Sequence, residues 1–285
     1  MLQVWVDGEL VPADRAVVSV YDRGFRTGEG VFETLRAYGR HVFRLDAHLE
    51  RARAGATELG FDPGPAAALA HAVQATAAAN HEALQGADSA LRLTISAGRI
   101  DPASPIPGRP VGEPTVVVTS HPLAVGPATA SAVTLPLARE LPHVKAVSYL
   151  VAVTAKRQAR ARGADEALLT DVDGRVLEGA SSNVFAVVGG ALVTPPAQAG
   201  LLMGVTRGVV LELARAEGLR VEERALGVEE LRAAQEAFLT STTRELVPLV
   251  EVDGAHLGAR APGEVTDALH RAYVAEVARE RAAGR

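Results

Sequence analysis

Residues 28–51 read GEGVFETLRAYGRHVFRLDAHLER, and the change of period within them decides the architecture. From Val31 to Tyr38 the side chains alternate: Phe32, Thr34, Arg36 and Tyr38 share one face, and Val31, Glu33, Leu35 and Ala37 the other. Gly39-Arg40 marks a turn, and RHVFRL returns as the second arm of a hairpin. Beyond it the apolar spacing becomes helical, with Leu49, Ala52, Ala56 and Leu59 on one stripe and Asp46 predicted as the N-cap. A hairpin that delivers the chain into an amphipathic helix predicts an α+β fold.

Working outward, LQVWV and VSVYDRG upstream read as strands around the turn DGE, and residues 65–85 as a second, Ala-rich helix. ALRLTISAG and EPTVVVTS are strands separated by the Pro/Gly-rich loop 101–114, which belongs at the surface. The second half opens with a strand near residues 132–137 and a helix from Ser148 that closes at Gly163. A hairpin turns at Asp173-Gly174, strands follow through residue 195, and GVTRGVVLELARAEG forms a helix ending at Gly218. A strand at VEERAL, a short helix at VEELRAA and a strand through EAFLTSTTREL complete the pattern. The expected organisation is a small N-terminal lobe over 1–119, a connection over 120–131, and a larger lobe over 132–285.

Composition narrows the function. At 285 residues, with 48% hydrophobic and 22% charged, the chain is an ordinary globular one with room for more than one core. It has no cysteine, which excludes disulfides, thiolate metal sites and cysteine nucleophiles. A net charge of −5 recommends neither nucleic acid nor acidic membranes as partners. The first residues lack a basic, apolar leader and no stretch is long enough to span a bilayer, so the expected location is the cytoplasm. The 8 histidines are scattered without ligand spacing, so no metal is expected. There is no Gly-x-Ser-x-Gly elbow, and the glycines before Phe32 precede a strand rather than a helix.

Of the 29 Lys+Arg only Lys145 and Lys156 are lysines, so a position that keeps lysine is a candidate for amine chemistry. Lys156 lies beside Arg157 and Arg160 on what reads as a solvated helix face. Lys145 stands between a strand and a helix start, flanked by Val144, Ala146 and Val147, where partial burial favours the neutral amine of Schiff-base chemistry. Glu178 enters a Gly/Ser turn, where it either caps backbone amides or holds a proton on a heteroaromatic nitrogen. Gly204-Val205-Thr206 opens a helix suited to phosphate, and Thr240–Thr243 ends a strand with hydroxyls. Arg51 offers a cation, or is simply an exposed arginine. A lysine, a carboxylate and a phosphate cup are the equipment for pyridoxal phosphate.

The segments GEGVFETLR, HLERAR, Lys145 with SYL, EGASSNVF, GVTR and TSTTREL also occur in that order in a known family. The chain resembles fold-type IV pyridoxal-phosphate enzymes, the class of D-amino-acid and branched-chain aminotransferases and aminodeoxychorismate lyase. The resemblance implies two lobes, the larger with a barrel-like sheet, the cofactor between them, and a homodimer. It implies that Lys145 is the Schiff-base lysine and proton shuttle, and that Glu178 sits at the pyridine nitrogen. Arg51, Val205, Thr206, Ser241 and Thr242 would bind the phosphate.

For the substrate, the resemblance divides. D-amino-acid enzymes usually carry tyrosine at Phe32, where branched-chain enzymes have phenylalanine, and an Arg-x-His pair where this chain reads Arg99-Ile100-Asp101. EGASSNVF and TSTTREL look more like the D-amino-acid group, and GADEALL is shared with lyases. The expectation is a D-amino-acid transaminase with an altered carboxylate pocket, in which Arg36 or Arg99 holds the carboxylate and (R)-amines are also accepted. Its partners are an amino donor and a 2-keto acid. Aminodeoxychorismate lyase, releasing pyruvate and 4-aminobenzoate, and branched-chain L-amino-acid transamination are the alternatives.

Overall fold

In the computed structural model, residues 1–103, 110–124 and 126–284 are described. The chain forms two compact units: Met1–Ala124 with Val144–Ser148 and the C-terminal Gly284, and Val125–His143 with Tyr149–Ala283. The expected lobes therefore meet an exception at the residue that matters most. Val144–Ser148, anticipated within the larger lobe, belongs to the first unit, and strand pairing continues to Pro122 inside the expected connection.

The first unit contains β1 (Gln3–Val6), β2 (Glu9–Pro12), α1 (Arg23–Thr27), β3 (Gly30–Tyr38), β4 (His41–Val42), α2 (Leu45–Glu58), α3 (Ala66–Asn80), β5 (Ser89–Ser96), β6 (Arg99–Ile100), β7 (Pro110–Val111) and β8 (Thr115–Pro122). Six strands form one sheet in the order β2-β1-β8-β5-β3-β4, with β6 and β7 paired apart. Val31, Leu35 and Ala37 of β3 join Leu91, Leu93 and Ile95 of β5 in a core that α2 and α3 close with Leu49, Ala52, Ala56, Leu69 and Val73. Alternation is therefore the rule that sets the face, as the sequence predicts. Lys145's segment lies along β3: Phe32 N–H donates to Lys145 O at 2.8 Å, and Val147 N–H to Gly30 O at 2.8 Å.

Several local expectations need correction. VSVYDRG is not a strand; Asp22 instead caps α1, accepting from Gly24 N–H at 2.8 Å and Phe25 N–H at 3.3 Å. Asp46 is not the cap of α2. The helix starts two residues earlier, at Leu45 after Arg44 in left-handed backbone, and Asp46 lies in its first turn, where its charge suits the helix dipole. The second helix stops at Asn80 rather than 85, because the Asn80 amide turns back to Thr76 O and to Gln3 O of β1. Of the surface loop, residues 104–109 lie outside the described residues.

The second unit contains β9 (Ala130–Leu135), α4 (Leu150–Ala161), β10 (Glu166–Thr170), β11 (Arg175–Gly179), β12 (Asn183–Val188), β13 (Ala191–Thr194), α5 (Val205–Ala216), β14 (Val221–Glu223), β15 (Leu226–Gly227), α6 (Val228–Arg232), β16 (Glu236–Ser241), β17 (Glu245–Val252), β18 (Ala255–His256) and α7 (Glu264–Ala282). Its strands make one curled, half-barrel sheet in the order β14-β13-β12-β16-β17-β9-β10-β11-β15, with β18 beside β17. Strands β9 and β10 pair in parallel, which requires the α4 crossover, whereas β10 and β11 meet through the hairpin at Gly174. Ser148 does not open α4; the helix begins at Leu150, with Tyr149 at its N-cap position. No helix among the described residues is long and apolar enough to cross a membrane.

Candidate active site

Lys145 is half-buried in the first unit. Its Nζ stands 4.6 Å from the centroid of the Phe32 ring, and the guanidinium carbon of Arg92 is 3.8 Å from the same centroid. The arrangement follows from strand register: Phe32 pairs with Thr94 and Thr34 with Arg92, so the arginine lies beside the phenylalanine on the face opposite the core. Arg36 shares that strand face, but its Nη2 donates to Asp88 at 3.0 Å and its guanidinium covers the Tyr38 ring. Arg99 is exposed on β6.

On the core face, Glu33 is fully buried among apolar side chains and meets two residues of α2. Arg51 donates through Nε at 2.7 Å and Nη2 at 2.6 Å, one bond to each carboxylate oxygen, and His48 Nδ1 lies 2.7 Å from Oε2. His48 and Arg51 are one helical turn apart, so a single helix face supplies both. Burial pushes the Glu33 carboxyl up, but the charge of Arg51 and the contacts with His48 more than offset it and hold the group at about 2. Burial pushes the His48 imidazole down. The expected phosphate arginine is thus anchored by a carboxylate rather than loose on the surface.

In the second unit Glu178 is buried at the end of β11. Its Oε1 is 2.8 Å from Arg139 Nε, and Leu202 N–H donates to Oε2 at 3.2 Å. Arg139 Nη2 also donates to Ala180 O at 2.9 Å, as does the Tyr149 hydroxyl at 3.0 Å. The following turn is held by Glu166, which accepts from Ser181 and Ser182 Oγ, and its Gly179 has no room for a Cβ against Ser182. Lys156 faces the same Glu166 at 3.9 Å, a structural ion pair.

Helix α5 begins at Val205 with no side-chain cap and no acidic residue in its first turn. Gly204 lies at its N-cap position with the Asn183 amide where a Cβ would go, so the chain is kept narrow in front of the helix. Thr206 is buried, and so is the Thr240 hydroxyl, which has no hydrogen-bond partner among the described residues. Ser241 ends β16 and Thr242 follows in the turn, both half-buried. Arg207, the last residue of GVTR, is turned inward to Pro195 O and Glu223.

The donor chemistry of each unit fits pyridoxal phosphate. The first supplies an amine and an anchored arginine; the second supplies a buried carboxylate, an uncapped helix start and an orphaned hydroxyl. Among the described residues no three metal-ligating side chains cluster. Sequence reasoning missed Glu33, His48, Arg92 and Arg139. The first had a visible signal, a charge on the apolar face of β3 that demands a partner. Arg92 had one too, an arginine on the alternate face of ALRLTIS. Arg139 had none, because its partners come from distant elements.

Fold and donor groups together define a pyridoxal-phosphate enzyme of fold type IV. The family Amino-transferase class IV matches residues 30–252. D-alanine aminotransferase of Bacillus licheniformis is 33% identical over 98% of this chain and 99% of its own. Branched-chain-amino-acid aminotransferase of Pseudomonas aeruginosa is 31% identical, over 95% and 91%. Aminodeoxychorismate lyase of Bacillus subtilis is 30% identical, over 96% and 94%. The crystal structure of branched-chain aminotransferase from Thermoproteus uzoniensis with norvaline superposes with a TM-score of 0.85 at 33% identity, covering 95% of this chain and 93% of that one. The chain belongs to the class IV aminotransferases, enzymes that depend on pyridoxal phosphate.

Proposed function

We propose that this chain transfers an amino group from a D-amino acid to a 2-keto acid in two alternating half-reactions. The observation that carries the reading is the Lys145 amine and the Arg92 guanidinium on one phenylalanine ring: a proton-exchanging group beside a cation suited to a carboxylate. Bound pyridoxal phosphate supplies the carbonyl that captures the amino group and a ring that takes up electrons from the substrate Cα. Lys145 Nζ removes the proton at Cα and later returns one. Of the first unit, Arg51 would bind the phosphate; of the second, the amides of Val205 and Thr206 and the hydroxyls of Thr206, Ser241 and Thr242 would. Glu178 keeps the ring nitrogen protonated.

Arg92 is the arginine we assign to the substrate carboxylate, with Arg36 and Arg99 as the further candidates. A carboxylate bound by one side chain leaves room for (R)-amines as secondary donors. The D-amino-acid choice draws on EGASSNVF and TSTTREL; Phe32 favours the second reading, branched-chain L-amino-acid transamination, which also matches what the Pseudomonas and Thermoproteus relatives are named for. We place the enzyme in the cytoplasm as a homodimer. The exposed apolar run Val17, Val18, Val20 and Phe25 supports a second copy as its cover.

The test is a half-reaction on the yellow holoprotein with no acceptor. D-Alanine, L-leucine, (R)-1-phenylethylamine and aminodeoxychorismate are added separately. Loss of the yellow band with D-alanine and formation of pyridoxamine phosphate supports the reading. Bleaching by L-leucine alone replaces it with the branched-chain one. Pyruvate release from aminodeoxychorismate, with the amino acids inert, makes the enzyme a lyase. If Arg92→Ala, Arg36→Ala and Arg99→Ala all leave the KM for D-alanine unchanged, the carboxylate assignment fails.

A further inference from the structure

We propose that Arg139 is a positioning residue that keeps Glu178 ionised and aimed, so that the proton shared with a ring nitrogen stays on the nitrogen. The inference rests on the reading of Glu178 given above and adds a second residue to it. Arg139 lies in the segment after β9, and its guanidinium reaches three places at once. Nε is 2.8 Å from Glu178 Oε1, Nη2 donates to Ala180 O at 2.9 Å, and the same nitrogen is 3.5 Å from the Tyr149 hydroxyl. The Tyr149 hydroxyl donates to that Ala180 carbonyl as well, and the Arg139 guanidinium carbon stands 5.0 Å from the Tyr149 ring centroid.

Glu178, Arg139 and Ala180 thus form a rigid fork rather than a flexible surface pair, since the arginine and the carboxylate side chains are about a tenth and a twentieth exposed. Burial is the largest single influence and works against the charge on Arg139, but Glu178, its largest favourable partner, together with Tyr149 and Glu166, outweighs it and raises its pKa. The chemical consequence concerns where one proton lies. A carboxylate facing a fixed cation is a weaker base, so a proton between it and a pyridine nitrogen stays on the nitrogen. Without the cation the carboxylate takes that proton and leaves the ring neutral, a poorer acceptor of electrons.

The fork has a second effect through the chain. Arg139 precedes Lys145 and Tyr149 follows it, and both are fastened to the carbonyl of Ala180 two residues after Glu178. Two separate stretches of the second unit, at Arg139 and at Tyr149, are therefore fastened to the turn that carries the carboxylate.

The test compares the apoprotein's affinity for pyridoxal phosphate with that for an analogue carrying C–H in place of the ring nitrogen, in wild type, Arg139→Met, Arg139→Lys and Glu178→Gln. We expect Arg139→Met to weaken pyridoxal phosphate about tenfold, the scale of one unit in a proton equilibrium, and to leave the analogue unchanged. Arg139→Lys restores part of the loss. In the holoprotein, the nitrogen-15 signal of labelled cofactor moves toward the neutral ring in Arg139→Met. Equal weakening of both compounds, or none, overturns the proposal, as does an unmoved nitrogen signal. If Arg139→Met does not fold, the Arg139→Lys protein decides: its nitrogen signal must move part of the way, and an unmoved one overturns the proposal. If Glu178→Gln also fails to discriminate between the two compounds, the reading of Glu178 falls with it. If Glu178→Gln discriminates and Arg139→Met does not, only the present inference falls.

Discussion

Glu33 in the first unit and Glu178 in the second are each buried against an arginine, and the two are held in different ways. Glu33 is bonded on both oxygens by Arg51 and touched by His48, all within reach of one helix face. Glu178 meets Arg139 and the Leu202 amide, partners from separate stretches of chain. Burial alone therefore does not mark a reacting group. A carboxylate flanked by a bidentate arginine and a histidine is a brace for the arginine. One fixed by long-range partners beside a Gly/Ser turn is oriented for something else, and that contrast is why chemistry is assigned to Glu178 and support to Glu33.

Breaking the contrast should give effects of graded size. The largest belongs to neither carboxylate: Lys145→Ala removes the proton-exchanging amine and should lower turnover by about 10⁴-fold in steady-state assays. Glu33→Gln comes next and separates brace from chemistry. It leaves the Arg51 cation without its counter-charge, and stability measured by denaturant unfolding should fall by about 3 kcal/mol. Glu178→Gln uncovers Arg139 in the same way and should cost comparable stability, but it alone should also lower turnover directly, by about 100-fold in the folded holoprotein. If both substitutions act mainly on stability, the two carboxylates are equivalent and the contrast is lost.

Acid should sharpen the comparison. His48 has its pKa lowered in the fold, so below its ordinary 6.5 the unfolded chain binds the extra proton and stability begins to fall. Glu33 is held at about 2, below its ordinary 4.5, so its stabilisation is present above 4.5 and is lost as pH falls through about 2. Both signs are the same, and unfolding followed by Trp5 fluorescence in the first unit should show a stability that declines steadily on acidification. The smallest effect is expected at Arg99: it is exposed, and Arg99→Ala should change the KM for amino donors by about twofold or less, against about tenfold for Arg92→Ala.

Much of this was legible in the chain itself. The alternation of β3, the turns at Gly39 and Gly174, and the start of α5 after Gly204 are local consequences of side-chain period and glycine backbone. What escaped reading depends on distance in sequence. Asp22 caps a helix of five residues, too short to leave a periodic signal, and is steadied by Ser96 from β5. Asn80 stops α3 by reaching β1. Arg139 looks like any polar loop arginine until β11 and α4 are folded around it. The residues proposed for chemistry stand out in the sequence for local reasons: Lys145 is one of two lysines and Glu178 enters a Gly/Ser turn.

The strip Val144–Ser148 has a consequence for how the protein is made. Apart from the C-terminal Gly284, the first unit is finished at Ala124 except for this piece, which bonds to Gly30 and Phe32 and supplies Val144 to the core. On the ribosome, β3 must emerge with that edge bare and stay so until Ser148 has been synthesised, after β9 of the other unit. The lysine therefore enters its position as the closing piece of a unit begun long before. A gene cut at the obvious boundary near residue 124 would yield a first fragment lacking both its last edge contact and its amine.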